Sequence, residues 1–444
     1  MEQLKHEKTL QRESKNELRE RISLFFDEHR DAIIRDIAAL VAFPTIEENH
    51  NDVLMSLKWL LDLGRAAGLR ADVTSGGVAG HIEIGEGDEC VGILAHVDVV
   101  GVGDPQKWGR HDPFKLAYEN GLIFGRGVVD DKGPAVISLY SLKFLKESGF
   151  PLKKRIRLII GTSEESGWTD MAEYRKEFGS PDYGYSPDGD FPISNVEKGY
   201  CDAKLYFTGD FVKGIERLSA GDSPNTVPSH AAIKRYGGGE RLYFGKAVHS
   251  STPWLGDNAI IKFAMDNLDL PFSRFIKEYF LEQYHGTKLG IDDGSDSYNG
   301  VFVSKTTAAP TVLRLTDSGV MLNINIRAHV GSGRREIERA LAAHAESCGY
   351  SFKLDHCSDP LMVSPDLPFM RDMQRLYEEY GFRGGFQVAE GASYAGTMNN
   401  CVCWGPIFPG EYSCAHEEDE QIIVDSLLKA AKLYTEFLCV TAGA

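Results

Sequence analysis

The first part of the chain carries apolar residues at helical spacing. Residues 18–43 predict an amphipathic helix that ends before Pro44, because proline cannot continue a helix. Residues 52–68 predict a second amphipathic helix, which ends at Gly68. We therefore expect two helices before the first buried strand.

The next part alternates short apolar runs with helical patterns. Residues 91–97 and 156–160 are apolar runs of the kind that forms buried strands. A helix is predicted from Pro134 to Lys146, and another near 169–178. This β-α-β-α order predicts an α/β layer with helices on the faces of a sheet.

From about residue 200 the pattern changes. Segments 203–207 and 313–327 alternate partly between apolar and polar residues, as strands of an antiparallel sheet covered on one face do. Helical patterns near 258–266 and 335–347 lie among them, and residues 421–439 form a strong amphipathic helix. The order predicts an α/β domain interrupted by an α+β insertion.

Composition and charge narrow the classes of protein. The 444 residues include 48 Lys and Arg against 65 Asp and Glu, a net charge of −17, which disfavours nucleic acid and anionic membranes as partners. No apolar run reaches the ~18 residues of a membrane span, and the charged start lacks the apolar core of a signal peptide. We therefore expect a cytoplasmic protein. Eight scattered cysteines without a CxxC pair are expected to be mostly reduced core thiols.

Three short motifs bring histidine and carboxylates to the ends of predicted strands. His96 and Asp98 lie on the same side of the strand that closes at 97, so Asp98 is a candidate partner for a metal-bound His96. Asp130 lies in a glycine-rich turn before a helix. Glu164 and Glu165 follow the second buried strand, where one could bind metal and the other act as a general base. Taken singly, each motif also fits a buried histidine, a helix cap or a polar loop.

Two further candidates complete a set of metal ligands. Asp188 lies in the turn Ser186-Pro187-Asp188-Gly189, and His416 precedes an acidic run. Together the candidates offer two imidazoles and three carboxylates. If Asp130 bridges, each of two metal ions receives three protein ligands and keeps an open position. Nitrogen and oxygen ligands suit two Zn²⁺, with Mn²⁺ or Co²⁺ also possible.

The motifs resemble those of the M20 family of zinc metallopeptidases, and within it the PepV/Sapep-like dipeptidase branch. The resemblance covers roughly residues 35–440. The matching segments are HVD (96–98), GRGVVDDKGP (125–134), SEE (163–165), SPD (186–188), KAVHSSTP (246–253) and GPIFPG (405–410) with the later His416.

The resemblance implies a fold and a division into domains. We expect an α/β catalytic domain, with a mixed sheet flanked by helices, over 1–197 and 358–444. Residues 198–357 would form an inserted α+β lid domain. If the lid of this branch replaces a partner subunit, the protein is expected to be a monomer.

The resemblance also implies a role for each matching residue. His96 and Asp188 would hold one zinc, Glu165 and His416 the other, and Asp130 would bridge. Glu164 would be the general acid and base, and Asp98 would orient His96. The remaining residues would act on the substrate: His249 on the oxyanion, Asn225 and Arg327 on the terminal carboxylate, and Gly391 and Tyr394 in a substrate loop.

The implied activity is hydrolysis of short unblocked peptides through a metal-bridged hydroxide. The alternative is an amidohydrolase of N-acyl amino acids, of the aminoacylase or desuccinylase type. Asp188 favours the dipeptidase, because deacylases that resemble this family tend to carry glutamate there.

Two features depart from the family pattern. The run Glu417–Glu420 is more acidic than usual. It either lies near the zinc pair and raises its affinity or is only the charged start of the last helix, and we favour the helix start. Cys414 stands where the branch often has threonine; it either makes the enzyme sensitive to oxidation or is a passive small side chain, and we favour the passive side chain.

Overall fold

The computed structural model describes residues 15–292, 294–298 and 300–443. The chain divides into two compact units. The first contains the described residues up to Ser194, the segment Val363–Gln387 and the described residues from Ser393 onward. The second contains Asn195–Met362 and Val388–Ala392. The predicted insertion, 198–357, lies inside the second unit, and its description as a lid stays a prediction.

The described residues form nine α-helices. They are α1 Lys15–Val41, α2 His50–Ala66, α3 Lys132–Glu147, α4 Thr169–Phe178, α5 Ala259–Asp266, α6 Pro271–Phe280, α7 Arg334–Cys348, α8 Pro368–Glu379 and α9 Val424–Ala442. In this part of the chain every helix is too short or too polar to cross a lipid bilayer.

The strands are numbered in chain order. Those that begin in the first part of the chain are β1 Arg70–Val73, β2 Gly80–Ile84, β3 Cys90–His96, β4 Ala117–Glu119, β5 Leu122–Phe124, β6 Arg155–Gly161, β7 Tyr183–Ser186, β8 Gly189–Asp190 and β9 Ile193–Glu197. The middle part contributes β10 Gly199–Thr208, β11 Ile215–Ala220, β12 Thr226–Val227, β13 His230–Arg235, β14 Glu240–Phe244, β15 Val248–His249, β16 Ser297–Tyr298, β17 Val301–Phe302, β18 Thr307–Leu315, β19 Gly319–Ala328, β20 Tyr350–Ser358 and β21 Leu361–Met362. The last strands are β22 Phe386–Ala389, β23 Cys401–Cys403, β24 Pro406–Ile407 and β25 Gln421–Ile423.

The first unit is built on a mixed sheet with the strand order β1-β2-β6-β3-β7-β23-β9. The four neighbours β6, β3, β7 and β23 are parallel to one another. Strand β2 pairs antiparallel with β6 on one side and with β1 on the other. All seven residues of β3 are buried, as expected for a central parallel strand covered on both faces. Because parallel strands run in one direction, their carboxyl ends meet at the same edge of the sheet.

Helices α1, α3 and α9 pack against one another beside this sheet. The sequence predicts one helix over 421–439, whereas the structure begins that helix at Val424. Residues Gln421–Ile423 instead form β25, which pairs antiparallel with β5. The prediction is wrong for these three residues because a short apolar run does not distinguish a strand from a helical turn.

The second unit contains a seven-stranded sheet with the order β14-β13-β11-β18-β19-β10-β20. All its neighbouring strands are antiparallel. Segment 313–327, predicted as strand, is a hairpin of β18 and β19, closed where the Thr316 N–H donates to the Gly319 carbonyl at 2.9 Å.

Strand β19 shows how this sheet has two different faces. Leu322 and Ile324 enter an apolar core that also contains residues of α5, α6 and α7. The alternate residues Asn323, Asn325 and Arg327 are also buried, but on the opposite, polar face. Alternate residues of β19 therefore belong to the apolar core on one face and to the candidate binding residues on the other.

One pair of cysteines differs from the expected reduced thiols. Cys201 in β10 and Cys357 in β20 form a disulfide across adjacent strands, 156 residues apart in sequence. The other six cysteines carry thiols, and all except Cys348 are buried. The expectation is therefore correct for six thiols and wrong for this pair, because only the pairing of β10 with β20 brings the two together.

Candidate functional site

The carboxyl edge of the parallel strands collects the predicted polar residues of the first unit. His96 is the last residue of β3, and Glu164 and Glu165 follow the end of β6. Asp188 follows β7, and Asp130 lies in the loop that leads into α3. The sheet thus places at one edge residues that are far apart in sequence.

The five predicted ligands form two groups that share Asp130. One group is His96, Asp130 and Asp188, and the other is Asp130, Glu165 and His416; within each, the possible ligand atoms lie within 4.8 Å of one another. Asp130 Oδ1 is 2.9 Å from His96 Nε2, and Asp130 Oδ2 is 2.9 Å from His416 Nε2. One carboxylate therefore faces both imidazoles, one oxygen to each, as a bridging ligand would.

The remaining distances close each group. His96 Nε2 lies 3.7 Å from Asp188 Oδ2, and His416 Nε2 lies 2.9 Å from Glu165 Oε1. His416 has a positive φ of 66°, a backbone conformation that is uncommon for a residue with a side chain and occurs often at functional sites.

The charges in this site are unusual for a buried cluster. Burial and the charge of Asp130 raise the pKa of Asp188, and the same two causes raise the pKa of Glu165 to about 6. Burial opposes protonation of His416, but hydrogen bonds with Asp130 and Glu165 raise its pKa to about 12. The carboxylates thus repel one another, and the imidazoles provide the compensating positive charge.

The donor set fits two divalent cations. Asp130 Oδ1 and His96 Nε2 are buried and face each other at 2.9 Å, but no aligned hydrogen bond joins them to each other or to another described residue. Two imidazole nitrogens and three carboxylates are ligands that Zn²⁺, Mn²⁺ and Co²⁺ accept. A cation in each group would satisfy the two buried atoms and relieve the repulsion between the carboxylates.

Asp98 supports this edge in a way that the motif alone did not reveal. Its backbone carbonyl lies 3.0 Å from His96 Nδ1 and accepts a hydrogen bond from it, which leaves Nε2 for a ligand. Its carboxylate is 3.4 Å from the same nitrogen and accepts the N–H groups of Glu164 and Glu165, at 3.2 and 3.0 Å. One residue therefore positions both the histidine and the pair of glutamates.

Glu164 lies beside the two groups without belonging to either. Burial and the charge of Asp188 raise the pKa of Glu164 well above its usual value. Its backbone carbonyl accepts the Trp168 indole N–H at 2.7 Å. A carboxylate with a raised pKa next to a metal centre is the arrangement expected for a general acid and base.

Tyr394, which is predicted to lie in a substrate loop, contacts the loop that carries Glu164. Its side chain is buried, with 1% of its surface exposed, and its ring lies against that of His96. Its hydroxyl donates to Asp170 and accepts the Ser163 N–H at 3.2 Å. Asp170 also accepts the Thr162 and Ser163 N–H groups, at 2.6 and 3.0 Å. Tyr394 and Asp170 thus hold the loop before Glu164, and the predicted contact of Tyr394 with substrate stays a prediction.

Sequence reasoning missed Asp170 and misread the acidic run at 417–420. Asp170 lies in the first turn of α4, where a carboxylate is ordinary. The run does not open a helix: β25 follows it, and Glu420 is fully buried with its carboxylate against the loop that carries Asp130. No local signal separates Glu420 from its acidic neighbours, which are exposed or only partly buried.

Three predicted substrate residues lie together in the second unit. Strands β12 and β15 pair Thr226 with His249, and the Ser250 N–H donates to the Asn225 carbonyl at 2.9 Å. Arg327 Nη2 lies 3.4 Å from His249 Nε2. Gly391, the fourth, lies in the segment Val388–Ala392, where a Cβ would meet no atom within 4 Å.

Arg327 is the main cation of this group. Its side chain is 7% exposed, and its guanidinium lies 4.7 Å from the centre of the Tyr200 ring. Among the described residues no carboxylate oxygen lies within 4.0 Å of Arg327. Burial lowers the pKa of Arg327, against the charges of Tyr200 and Asp202. A buried guanidinium without a carboxylate partner is suited to an anionic ligand.

Comparisons with known proteins identify the family of the chain. The sequence profile described as peptidase family M20/M25/M40 matches residues 92–439. YtjP of Bacillus subtilis (strain 168), provisionally named a dipeptidase, is 33% identical over 425 residues, which is 86% of this chain and 89% of that protein. The Beta-Ala-Xaa dipeptidase of Lactobacillus delbrueckii subsp. lactis is 26% identical and covers 92% of this chain and 95% of its own length.

A solved structure shares the fold. The aminoacylhistidine dipeptidase of Vibrio alginolyticus has a TM-score of 0.62 at 14% identity, over 93% of this chain and 97% of that one. The resemblance found in the motifs is thus confirmed over most of the sequence. The chain belongs to peptidase family M20/M25/M40.

Proposed function

We propose that the chain is a metal-dependent dipeptidase that hydrolyses the peptide bond of short unblocked peptides. The observation that carries the proposal is the position of Asp130, which faces both candidate metal positions while Glu164 lies beside them. The dipeptidase names of its relatives in Bacillus and Lactobacillus support the substrate class.

The five ligands would hold two Zn²⁺, or Mn²⁺ or Co²⁺ in their place. His96 and Asp188 would serve one ion, Glu165 and His416 the other, and Asp130 both. When bound, such ions polarise a carbonyl and lower the pKa of water towards ~7. Asp98 keeps His96 Nε2 directed at its ion through the hydrogen bond at Nδ1.

Glu164 would move the proton. Its carboxylate accepts a proton from the attacking water and then gives it to the nitrogen of the departing amine. The N–H contact from its backbone to Asp98 and the Trp168 contact to its carbonyl fix the position from which it acts. A base held in this way needs little reorganisation during the reaction.

The second unit would recognise the ends of the peptide. Arg327 and Asn225 would bind the terminal carboxylate, and Arg327 is well suited because its planar guanidinium offers two parallel donors. His249 would stabilise the oxygen that becomes negative when the carbonyl is attacked. Gly391 would leave room for the substrate backbone, since no side chain projects there.

We further infer a cytoplasmic monomer. Six of the eight cysteines carry thiols and not disulfides, which is typical of a reducing compartment. Size-exclusion chromatography with light scattering tests the second point. A mass of one chain, 49.2 kDa, supports the monomer, and twice that mass contradicts it.

The test of the activity is hydrolysis of a panel of dipeptides by the metal-depleted protein, with and without added Zn²⁺, Mn²⁺ or Co²⁺. N-acetylated and N-succinylated amino acids serve as the competing substrates. Metal-restored cleavage of free dipeptides, with the acylated compounds inert, supports the proposal and identifies the working metal. Cleavage of acylated compounds alone would keep the metal chemistry and replace the substrate class with N-acyl amino acids.

A further inference from the structure

The carboxylate of Glu420 lies at the junction of two loops that carry candidate ligands. It follows His416 by four residues, and it is fully buried. Its Oε1 accepts the N–H groups of Val129 and Asp130, at 2.8 and 3.3 Å. Its Oε2 accepts the Gly127 N–H at 2.9 Å and Arg126 Nη1 at 2.8 Å. Four donors thus converge on one side chain that lies 290 residues from Asp130 in sequence.

The backbone of Glu420 makes a further contact with the same loop. The Gly125 N–H donates to its carbonyl at 3.0 Å. Glu420 therefore binds the loop 125–130 through both its main chain and its side chain. A buried carboxylate is costly unless hydrogen bonds and a counter-charge compensate it, and both are present here.

Arg126 is itself held in place. Its side chain is 1% exposed, it donates to the Gly101 carbonyl at 3.2 Å, and its guanidinium lies 5.3 Å from the centre of the Trp108 ring. The pair of Arg126 and Glu420 is therefore a fixed point between the two loops and not a mobile surface ion pair.

We propose that Glu420 is a positioning residue that sets the separation between Asp130 and His416. It thereby sets the geometry of the second metal position, which is the group of Asp130, Glu165 and His416. The proposal rests on the proposed function, since it assigns Glu420 a part in the same metal centre. Glu420 is directly connected to both ligands. Its carboxylate accepts the backbone N–H of Asp130, and His416 lies only four residues before it in the chain. Shifting this carboxylate would move one ligand of the second position relative to the other.

Other contacts keep the loop folded when Glu420 changes. The Cys414 thiol donates to the Gln421 carbonyl at 3.1 Å and accepts the Gln421 N–H at 3.2 Å, which closes the loop at its base. His111 Nδ1 lies 2.5 Å from Asp419 Oδ1. A substitution at Glu420 is therefore expected to alter the position of His416 while the loop itself persists.

The test uses Glu420→Gln in the full-length protein, with Glu417→Gln as the matched control. Glu417 belongs to the same acidic run, and its carboxylate accepts a hydrogen bond from the hydroxyl of the exposed Tyr412. In Glu420→Gln the new side chain would present an NH₂ group to two donors in place of one carboxylate oxygen. Metal binding to the metal-depleted proteins is measured by calorimetry with Zn²⁺ and by the absorption of bound Co²⁺, and kcat and KM are measured at saturating metal.

For Glu420→Gln we expect one metal to bind as in the unmodified protein and the second to bind about 10–100-fold more weakly, the usual effect of losing a group that orients a ligand. The Co²⁺ spectrum changes for the second ion, kcat falls, and KM stays nearly constant. Glu417→Gln keeps both affinities. Two unchanged metal affinities with unchanged kcat in Glu420→Gln would overturn the proposal, and so would a lower thermal stability with both affinities intact.

A second variant covers the case in which Glu420→Gln does not fold. Glu420→Asp keeps the charge and shortens the side chain by one methylene, so it reaches fewer of the four donors, and a smaller loss at the second position is expected. A wild-type affinity for both ions in this variant contradicts the proposal. The two proposals fail in different ways: if the unmodified protein binds two ions but cleaves no dipeptide, the proposed function is wrong, while the metal affinities still decide the role of Glu420.

Discussion

Replacing Tyr394 by phenylalanine separates two roles for this residue, support of the Glu164 loop and contact with substrate. The substitution keeps the ring against His96 and removes only the hydroxyl. That hydroxyl donates to Asp170 and accepts the Ser163 N–H at 3.2 Å. Asp170 retains its two backbone donors from Thr162 and Ser163, so the loop loses one anchor of three.

The expected loss of stability follows from the charge of the acceptor. A hydrogen bond to a charged group contributes about 1.5–3 kcal/mol, so the unfolding free energy of the first unit should fall by about 2 kcal/mol. This corresponds to a decrease in the unfolding temperature on the order of 5 °C. The catalytic effect should appear in kcat, about tenfold lower, because Ser163 precedes Glu164 directly, while KM changes less than about twofold.

The assay combines thermal unfolding with steady-state kinetics on a cleaved dipeptide, and Tyr377→Phe is the matched control. Tyr377 is equally buried, but its hydroxyl has no hydrogen-bond partner among the described residues, so its loss should be neutral or slightly stabilising. If Tyr394→Phe raises KM several-fold and leaves kcat and stability unchanged, the hydroxyl contacts substrate and the argument from burial is refuted.

Three further changes test other parts of the molecule. Glu164→Gln should retain its metal, as measured by elemental analysis, and lose about 10²–10⁴-fold in kcat, since only the base is removed; activity near wild type would reject Glu164 as the base. Arg327→Lys should raise KM about tenfold for dipeptides with a free carboxylate and leave amidated peptides unaffected; equal losses on both would contradict a carboxylate role. Burial, with the charge of Arg157, lowers the pKa of His81 to about 4, so the folded state resists protonation and the protein loses stability as pH falls from 6.5 towards 4. His81→Phe keeps the ring contacts. Chemical denaturation at pH 7 and pH 5 should show that the difference in unfolding free energy between the two pH values is about 2 kcal/mol smaller in this variant. If that difference is the same as in the unmodified protein, His81 is not the cause of the pH dependence.

The sequence predicts the helices and strands whose pattern of apolar residues is local, together with the residues at which they end. The helix over 169–178 and the strand over 91–97 were predictable because their apolar spacing and flanking residues are local. The pairing of His96 with Asp188 came from the resemblance, and the parallel pairing of β3 with β7 explains why the two residues lie at one edge.

What the sequence could not predict depends on contacts between distant segments. Glu420 has three acidic neighbours, and only the loop 125–130 packed against it makes it buried while they are not. The bond between Cys201 and Cys357 requires the register of β10 and β20. The role of Tyr394 came from resemblance alone, and its hydroxyl is occupied by Asp170, a residue that no motif marked.

The first unit is made of segments from both sides of the second, and this affects how the protein comes into being. A nascent chain presents His96, Asp130, Glu165 and Asp188 early, but His416 and strand β23, which lies between β7 and β9 in the sheet, emerge only after the whole second unit has been synthesised. Domains generally fold in the order of synthesis, so the second unit can fold while the first still waits for its last strand and last ligand. A chain released early would hold four of the five candidate ligands and an unfilled position in its sheet. The fifth candidate ligand and the strand between β7 and β9 therefore join the first unit only after the second unit has been made.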